Sequence, residues 1–421
     1  MSPVIIAAII MVATFVLFFH PKIENIIVGV GASLAFGLTG IVPINTLFNF
    51  YTSNTCMVMI GMMTIGGAMF QSGLAGWIGA KVIKVTGTNE VKVQFAILLV
   101  SALLATSMNG SSVLMIMYPL MCSVAISSKI SMSRTVGFYM SGSLMGSYLT
   151  LSGGMVIISA ALLESAGYRM WNFFEVSWYG IPRLLLALPA VYFLGRRVLP
   201  KTMVMPDVPA AEKKEGDLPD KFTVKMGIVL AILLLTIAGM VTNFLKVPLS
   251  VYAVLGGLAC LITNCITPKQ MFSAISWNTI VLIGSMTAVA KGVELSGIGT
   301  LIGQSILGFT GAGASPVLLV FIILMVTAVI TQFMSDSGTI ALMTPIAISI
   351  AIAQGIEPYA YAMAVLVGSA MCHLSIMASP SLAFIMNMGG YKPSFFPKWG
   401  LVVEFLPSLI AAMIMIPLIW L

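Results

Sequence analysis

Asp336 stands in the middle of Thr331–Pro345, TQFMSDSGTIALMTP, beside Ser335, Ser337, Gly338 and Thr339 and between two long apolar runs. A carboxylate inside a bilayer costs about 2.5–3.5 kcal/mol on insertion scales, so a chain that keeps one is expected to use it. In lipid, backbone that leaves a helix survives only beside protein or a water-filled cavity. The stretch reads as the tip of a re-entrant helical hairpin that binds ligand. An earlier segment, Thr106–Pro119, TSMNGSSVLMIMYP, has the same form without the carboxylate. In each, small hydrogen-bonding residues directly precede an apolar helix, which places hydroxyls, an amide and free N–H groups at a helix N-terminus and favours an anion. Close packing of membrane helices would also explain either tip by itself; two tips at matching positions argue for a site. Its substrate-binding residues would be Asn109, Gly110 and Ser111 from one tip and Ser335, Asp336 and Ser337 from the other. Beside an anion the Asp336 charge is repulsive unless a cation or proton neutralises it. Asp336 is therefore expected to be a cation ligand or a proton carrier.

Two breaks follow the tips: Thr150-Leu-Ser-Gly-Gly154 and Ala378-Ser-Pro-Ser381 each interrupt an apolar span. Paired Gly and Pro break helices, and discontinuous spans near the midplane expose carbonyls that can coordinate a cation. A simple proline kink would account for the second break equally well.

The elements that must position these residues are helices in a membrane. The chain is 59% hydrophobic and 8% charged, against about 25% charged in soluble domains. Apolar runs at 3–19, 25–42, 55–72, 134–165, 178–199, 225–245, 249–267, 278–296, 358–388 and 399–421 are long enough to span. The runs 92–126 and 316–354 are interrupted by the tips and read as hairpins. Segments 74–86 and 298–309 read as interfacial arm helices, and the Pro- and charge-rich stretch 200–225 as a linker. The halves repeat: Gly61, Thr64 and Ser72-Gly73 match Gly284, Thr287 and Ser296-Gly297, while Pro119 matches Pro345 and Gly142-Ser143 matches Gly368-Ser369. The expected fold is an all-α polytopic membrane protein of two inverted repeats, each with five transmembrane helices and one re-entrant hairpin. Residues 1–199 form the first repeat with its hairpin entering from the cytoplasm. Residues 226–421 form the second, with its hairpin entering from outside. Sixteen of the 20 basic residues then face the cytoplasm, which places both termini outside an inner or plasma membrane of bacterial type.

Here the residues carry a family resemblance. The chain resembles the divalent anion:sodium symporter family of the ion transporter superfamily, whose tips read Ser-Asn-Thr about ten residues before a Pro. Ser335-Asp336-Ser337 with Pro345, and Asn109-Gly110-Ser111 with Pro119, match that spacing. Ser152-Gly153-Gly154 and Ala378-Ser379-Pro380-Ser381 resemble its broken helices. The resemblance implies a scaffold, a mobile transport domain with elevator motion, and sodium sites beside each hairpin. A dicarboxylate, tricarboxylate or sulfate would lie between them, with Gly154, Ser379 and Pro380 joining the tips around it. By the same comparison one cation site uses Thr331, Asp336 and carbonyls near Met334 and Ala378. The other uses Asn109 and carbonyls near Gly110 and Gly153. Relatives often form homodimers.

The expected function is cation-coupled transport of a small anion, with Na⁺ or H⁺ as coupling ion and no cofactor; the alternative is a Na⁺/H⁺ antiporter that exchanges through Asp336. The expected partners are the anion and the lipid bilayer, without nucleic acid. No catalytic spacing supports an enzyme, and no phosphate-binding Gly-rich Lys loop supports an ATP-driven pump. Lys291 and Glu294 should pair at i,i+3, Glu164 and Arg183 should lie near the outer ends with Glu164 solvated, and His373 should be hydrogen-bonded within the bundle. The position of Glu404 stays open between the bundle and the inner interface. The five cysteines read as small buried hydrophobes.

Overall fold

The computed structural model describes residues 2–18, 23–78, 81, 89–107, 110–128, 130–199, 221–310, 315–374 and 380–421. Asn109, Ala378 and Ser379 lie outside these, as do most of the 200–225 linker and much of the 74–86 arm, and the side chains of Ser111 and Pro380 are likewise not described. Among the described residues the chain is helical throughout, without strands. The first half runs α1 (Pro3–Phe18), α2 (Asn25–Leu38), α3 (Asn54–Gln71), α4 (Glu90–Ala105), α5 (Gly110–Ser128), α6 (Met132–Gly146), α7 (Val156–Ser165) and α8 (Ser177–Pro189). The second runs α9 (Val224–Thr242), α10 (Leu249–Ile262), α11 (Pro268–Ala274), α12 (Trp277–Ser296), α13 (Ile298–Thr310), α14 (Pro316–Ile330), α15 (Asp336–Gln354), α16 (Tyr359–Ala370), α17 (Pro380–Gly389), α18 (Phe395–Trp399) and α19 (Leu406–Trp420). Stretches such as Val224–Thr242, Trp277–Ser296 and Phe395–Trp420 are long and apolar enough to cross a membrane. Large apolar side chains including Val16, Leu38, Leu235 and Ile262 stand exposed on the outside of the bundle, where only lipid or another apolar surface satisfies them.

The sequence repeat is also a repeat of geometry. Gly73 and Gly297 both close their helices at positive φ, 78° and 75°, a conformation that glycine adopts without steric cost. Beside them Ser72 Oγ donates to Met69 C=O at 3.3 Å and Ser296 Oγ to Val293 C=O at 3.2 Å. Gly142 lets α6 approach the backbone of α4 so closely that a Cβ would lie 2.2 Å from the Leu98 carbonyl oxygen; Gly368 does the same for α16 on α14, 2.5 Å from that of Leu324. Across the halves the packing is reciprocal: α3 lies on α10, and their counterparts α12 and α2 lie on each other.

The expected span 134–165 is two helices, α6 and α7, with a non-helical interval, while in 358–388 α16 ends at Ala370 and α17 begins at Pro380, with residues 375–379 between them outside the described residues. The first interval, 147–155, is held by its own polar groups: Thr150 Oγ1 and Ser152 Oγ both donate to the Thr106 carbonyl, at 2.5 and 2.6 Å. The first break is thereby tied to the first tip. The second tip is tied to the end of α16, where Thr331 Oγ1 donates to Ser369 C=O at 3.2 Å and Gln332 Nε2 to Met371 C=O at 2.7 Å.

Outside the membrane-spanning segments, Arg169 grips Glu175 with two N–H groups at 2.6 and 2.9 Å, and the Trp420 indole N–H donates to the same carboxylate at 3.3 Å. Burial pushes the Glu175 carboxyl up, but the Arg169 guanidinium, the Asn172 N–H and Trp420 together outweigh it and hold the group below the usual carboxylate range. A depressed carboxylate contributes stability above its unfolded pKa and loses it as pH falls through the folded value. Glu175→Gln is therefore expected to lower the melting temperature at neutral pH and to flatten the acid limb of the profile below about pH 4.5, so that variant and wild type converge in acid. A wild-type acid limb in the variant would contradict this.

Candidate functional site

Two short runs of sequence build the tips. Ser335 caps α15, its Oγ accepting from Gly338 N–H at 3.2 Å, and Asp336 opens the first turn with Oδ1 on the Ser337 N–H at 2.9 Å. A negative group at this position is favoured by the helix dipole. Asn25, at the start of α2, donates from Nδ2 to Ser335 Oγ at 2.6 Å. Ser337 lines a recess together with Glu24, Asn25, Asn278 and Thr279. Asp336 also lies within electrostatic reach of His373. Thr331 is fully buried with its hydroxyl on Ser369; a hydroxyl that donates its proton keeps lone pairs for a cation. Met334 is buried beneath the tip.

The first tip opens on a cavity of about 240 Å³. Ser107, Ser152 and Gly154 line one side, and Met59, Met63 and Gln71 of α3 with Gln270 and Ser273 of α11 line the other. Gln270 Nε2 donates to Gln71 Oε1 at 2.9 Å, bridging the two walls of that second side. Gly153 is wedged: a Cβ there would lie 1.9 Å from the Ser147 carbonyl oxygen, whereas one on Gly154 would meet nothing within 4 Å. Gly110 opens α5, and its carbonyl accepts from the Tyr139 hydroxyl at 3.2 Å. Among the described residues no charged side chain lines the cavity.

The structure thus brings Gly154 to the cavity of the first tip, sets Ser337 at a recess with α2 and α12 and Ser335 against Asn25 of α2, and leaves Asp336 in the first turn of α15 between them. Gln71, Gln270, Asn25 and the Asn278–Thr279 pair are absent from the residues expected above. Gln270 had a local signal, as Thr267-Pro-Lys-Gln270 is a capping box. Asn25 had none, because its partner lies 310 positions away.

Other charged residues are corrected or placed. Arg183, expected near an outer end, is buried: Nε donates to Ser408 Oγ at 2.7 Å and the guanidinium lies 5.3 Å over the Tyr148 ring. Glu164 is half-buried, not solvated, and accepts from the N–H and hydroxyl of Thr55 at the start of α3. It is held there because a carboxylate satisfies free helix N-terminal donors. Lys291 and Glu294 pair at 2.9 Å, and Glu404 is buried against His373. The five cysteines are buried and form no disulfide among the described residues.

The sequence pattern of the citrate transporter family, CitMHS, matches residues 3–366, a stretch that includes both tips. The chain belongs to this family. It is also 28% identical over 217 residues to an uncharacterized transporter of Synechocystis sp., across 52% of this chain and 34% of that protein. With solute carrier family 13 member 2 of Oryctolagus cuniculus it shares 28% identity over 142 residues, 34% of this chain and 24% of that one. The chain thus spans about a third or less of the length of these two relatives. Its fold is shared with the YdaH transporter of Alcanivorax borkumensis, with a TM-score of 0.63 at 16% identity, covering 99% of this chain and 98% of that one. This chain is an integral membrane member of the citrate transporter family, and the resemblance to the divalent anion:sodium symporters is borne out.

Proposed function

We propose that the protein is a cation-coupled secondary carrier of a small di- or tricarboxylate, or a sulfate-like anion. It works by elevator-type alternating access between inverted repeats 1–199 and 226–421, joined by a cytoplasmic linker. The observation that carries this reading is the cavity where the first tip, the first break and α11 meet, a largely apolar pocket whose polar groups are the hydroxyls and amides of Ser107, Ser152, Gln71, Gln270 and Ser273. Ser107 and Ser152 offer hydroxyls there, and Gly110 opens the helix that follows the tip. Asn109 and Ser111 at the same tip, and Ser337, Ser379 and Pro380 at the second tip and break, are proposed to complete the contacts when the halves close on substrate. Cations at Asn109, Gly110 and Gly153, and at Thr331, Met334, Asp336 and Ala378, would supply the positive charge that the cavity lacks. Binding of these ions would order the tips, and the anion would then select between inward- and outward-facing states by differential affinity. The reciprocal packing of α2, α3, α10 and α12 supports two related halves. The cavity lies beside Lys269 on α11, the end that the positive-inside rule assigns to the cytoplasm, which supports an inward-facing arrangement. A second copy of the chain, forming a homodimer, and the bilayer would cover the apolar exterior.

The second reading, Na⁺/H⁺ exchange at Asp336, is favoured by one fact: among the described residues Asp336 has no salt-bridge partner. Thermal stability of the purified protein separates the two. Citrate, succinate and sulfate are titrated with and without sodium at two pH values. A ligand at a hundred times its Kd is expected to add about 2.7 kcal/mol. Stabilisation by sodium alone, with no response to any of the anions, would favour the antiporter and remove the carrier reading.

A further inference from the structure

The most heavily buried charged groups lie away from both tips. His373 sits on the single turn Cys372–Leu374 that ends α16 just ahead of the second break, and its Nδ1 meets Glu404 Oε2. His373 is 8% exposed and Glu404 1%. Among the described residues Glu404 Oε1 has no partner, and neither has Nη2 of the equally buried Arg183, which holds Ser408 one helical turn beyond Glu404. Glu404 belongs to a π-helical stretch, Gly400–Phe405, that packs on a second such stretch, Ala190–Gly195, at the end of α8. Isolated π-helical turns recur at functional sites. The contact with the His373 turn is close: a Cβ on Gly400 would lie 2.5 Å from the His373 carbonyl oxygen.

We propose that the His373–Glu404 pair is a proton-binding site that links the second break to the last span. The argument is one of charge in a dry place. Each element against the His373 turn contributes a known set of groups. The π-helical stretch brings Glu404, and α18 brings only Lys398, which is exposed. The turn itself carries Cys372. Asp336 of the second tip lies within electrostatic reach, and Arg183 approaches through Ser408 and the ring of Tyr148. The tyrosines of α16, Tyr359 and Tyr361, lie toward its other end. With a neutral imidazole the two carboxylates exceed the single guanidinium by one negative charge, and an uncompensated buried charge is strongly unfavourable. One proton shared between Nδ1 and Oε2 balances the set. When the break moves away from Gly400 the pair separates, and a lone carboxylate and a lone imidazole hold that proton with different affinity. Proton binding and the position of the break are then coupled by necessity. The link to transport rests on the carrier reading above; the proton site itself does not.

Two measurements test it, and they fail separately. The chain has two histidines, His20 and His373, so His20→Gln leaves one imidazole for ¹⁵N NMR of the full-length protein in lipid nanodiscs. Its nitrogens are expected to change protonation state between pH 5 and 9, and Glu404→Gln to move the midpoint by at least about one pH unit. An imidazole that stays in one state throughout overturns the site, whatever the protein transports, and this titration stands even if the Glu404 variant fails to fold. In proteoliposomes, the ratio of citrate uptake under an imposed pH gradient to citrate exchange without one is expected to fall at least fivefold in His373→Gln and Glu404→Gln. An unchanged ratio overturns the coupling. Absence of citrate, succinate and sulfate transport by the wild type sinks the carrier reading and the coupling with it, and leaves the proton site to the NMR result.

Discussion

Asp336→Asn is expected to lose cation-driven anion uptake by about a hundredfold. Even outer-shell partners of a bound metal are worth roughly ten- to a hundredfold in affinity, and Asp336 is proposed as a direct ligand. The substitution isolates charge from shape. The Asp336 Oδ1 accepts from the Ser337 N–H inside its own first turn, and an asparagine oxygen can do the same, so the tip and its Ser335 cap should persist. Uptake against sodium concentration at two pH values, in proteoliposomes, is the measurement. Under the antiporter reading the same variant would stop Na⁺/H⁺ exchange in the absence of any organic anion. A variant with wild-type uptake and unchanged sodium and pH dependence would remove Asp336 from the mechanism altogether.

The second large effect belongs to a glycine. Gly153→Ala would force a methyl to within 1.9 Å of the Ser147 carbonyl oxygen and 3.2 Å of that of Thr150. No rotamer relieves a Cβ clash with backbone, so the break itself must move, at a cost of about 3 kcal/mol, the upper range for overpacking. Such a shift would draw the Thr150 and Ser152 hydroxyls off the Thr106 carbonyl and distort the cavity they support. The expected result is a lowered melting temperature together with loss of citrate-induced stabilisation. Gly154→Ala is the control, because a Cβ there meets nothing within 4 Å; it should fold normally and change ligand affinity alone. Equal stability and equal ligand response in both variants would mean that the first break is not the rigid support described above.

Much of the arrangement was legible because it is local. A run of apolar residues interrupted by Ser-Asp-Ser or Ser-Gly-Gly says where helices stop, and α15 begins at Asp336 as α5 begins at Gly110, its repeat mate. The pairs Ser72-Gly73 and Ser296-Gly297 likewise announced a shared turn, since few residues but glycine take positive φ without strain. The solvation of Glu164 was misjudged, and the burial of Arg183 not foreseen, for the opposite reason. Their distance along the chain from a span's end says nothing about what packs over them, and Ser408 and Thr55 are 225 and 109 positions away.

Composition and the length of the apolar runs by themselves determined a helical membrane protein, because hydrocarbon leaves only helices and closed barrels and these runs have the length of helices; the matching glycines gave the expectation of two related halves with polar tips. Only the tertiary structure decided that Gln71 and Gln270 close one cavity, that Asn25 holds the second tip, and that His373 reaches Glu404. Each of these joins side chains whose separation in sequence carries no pattern. Their meeting depends on how whole helices pack, which is a sum over many contacts and is not written at any one position.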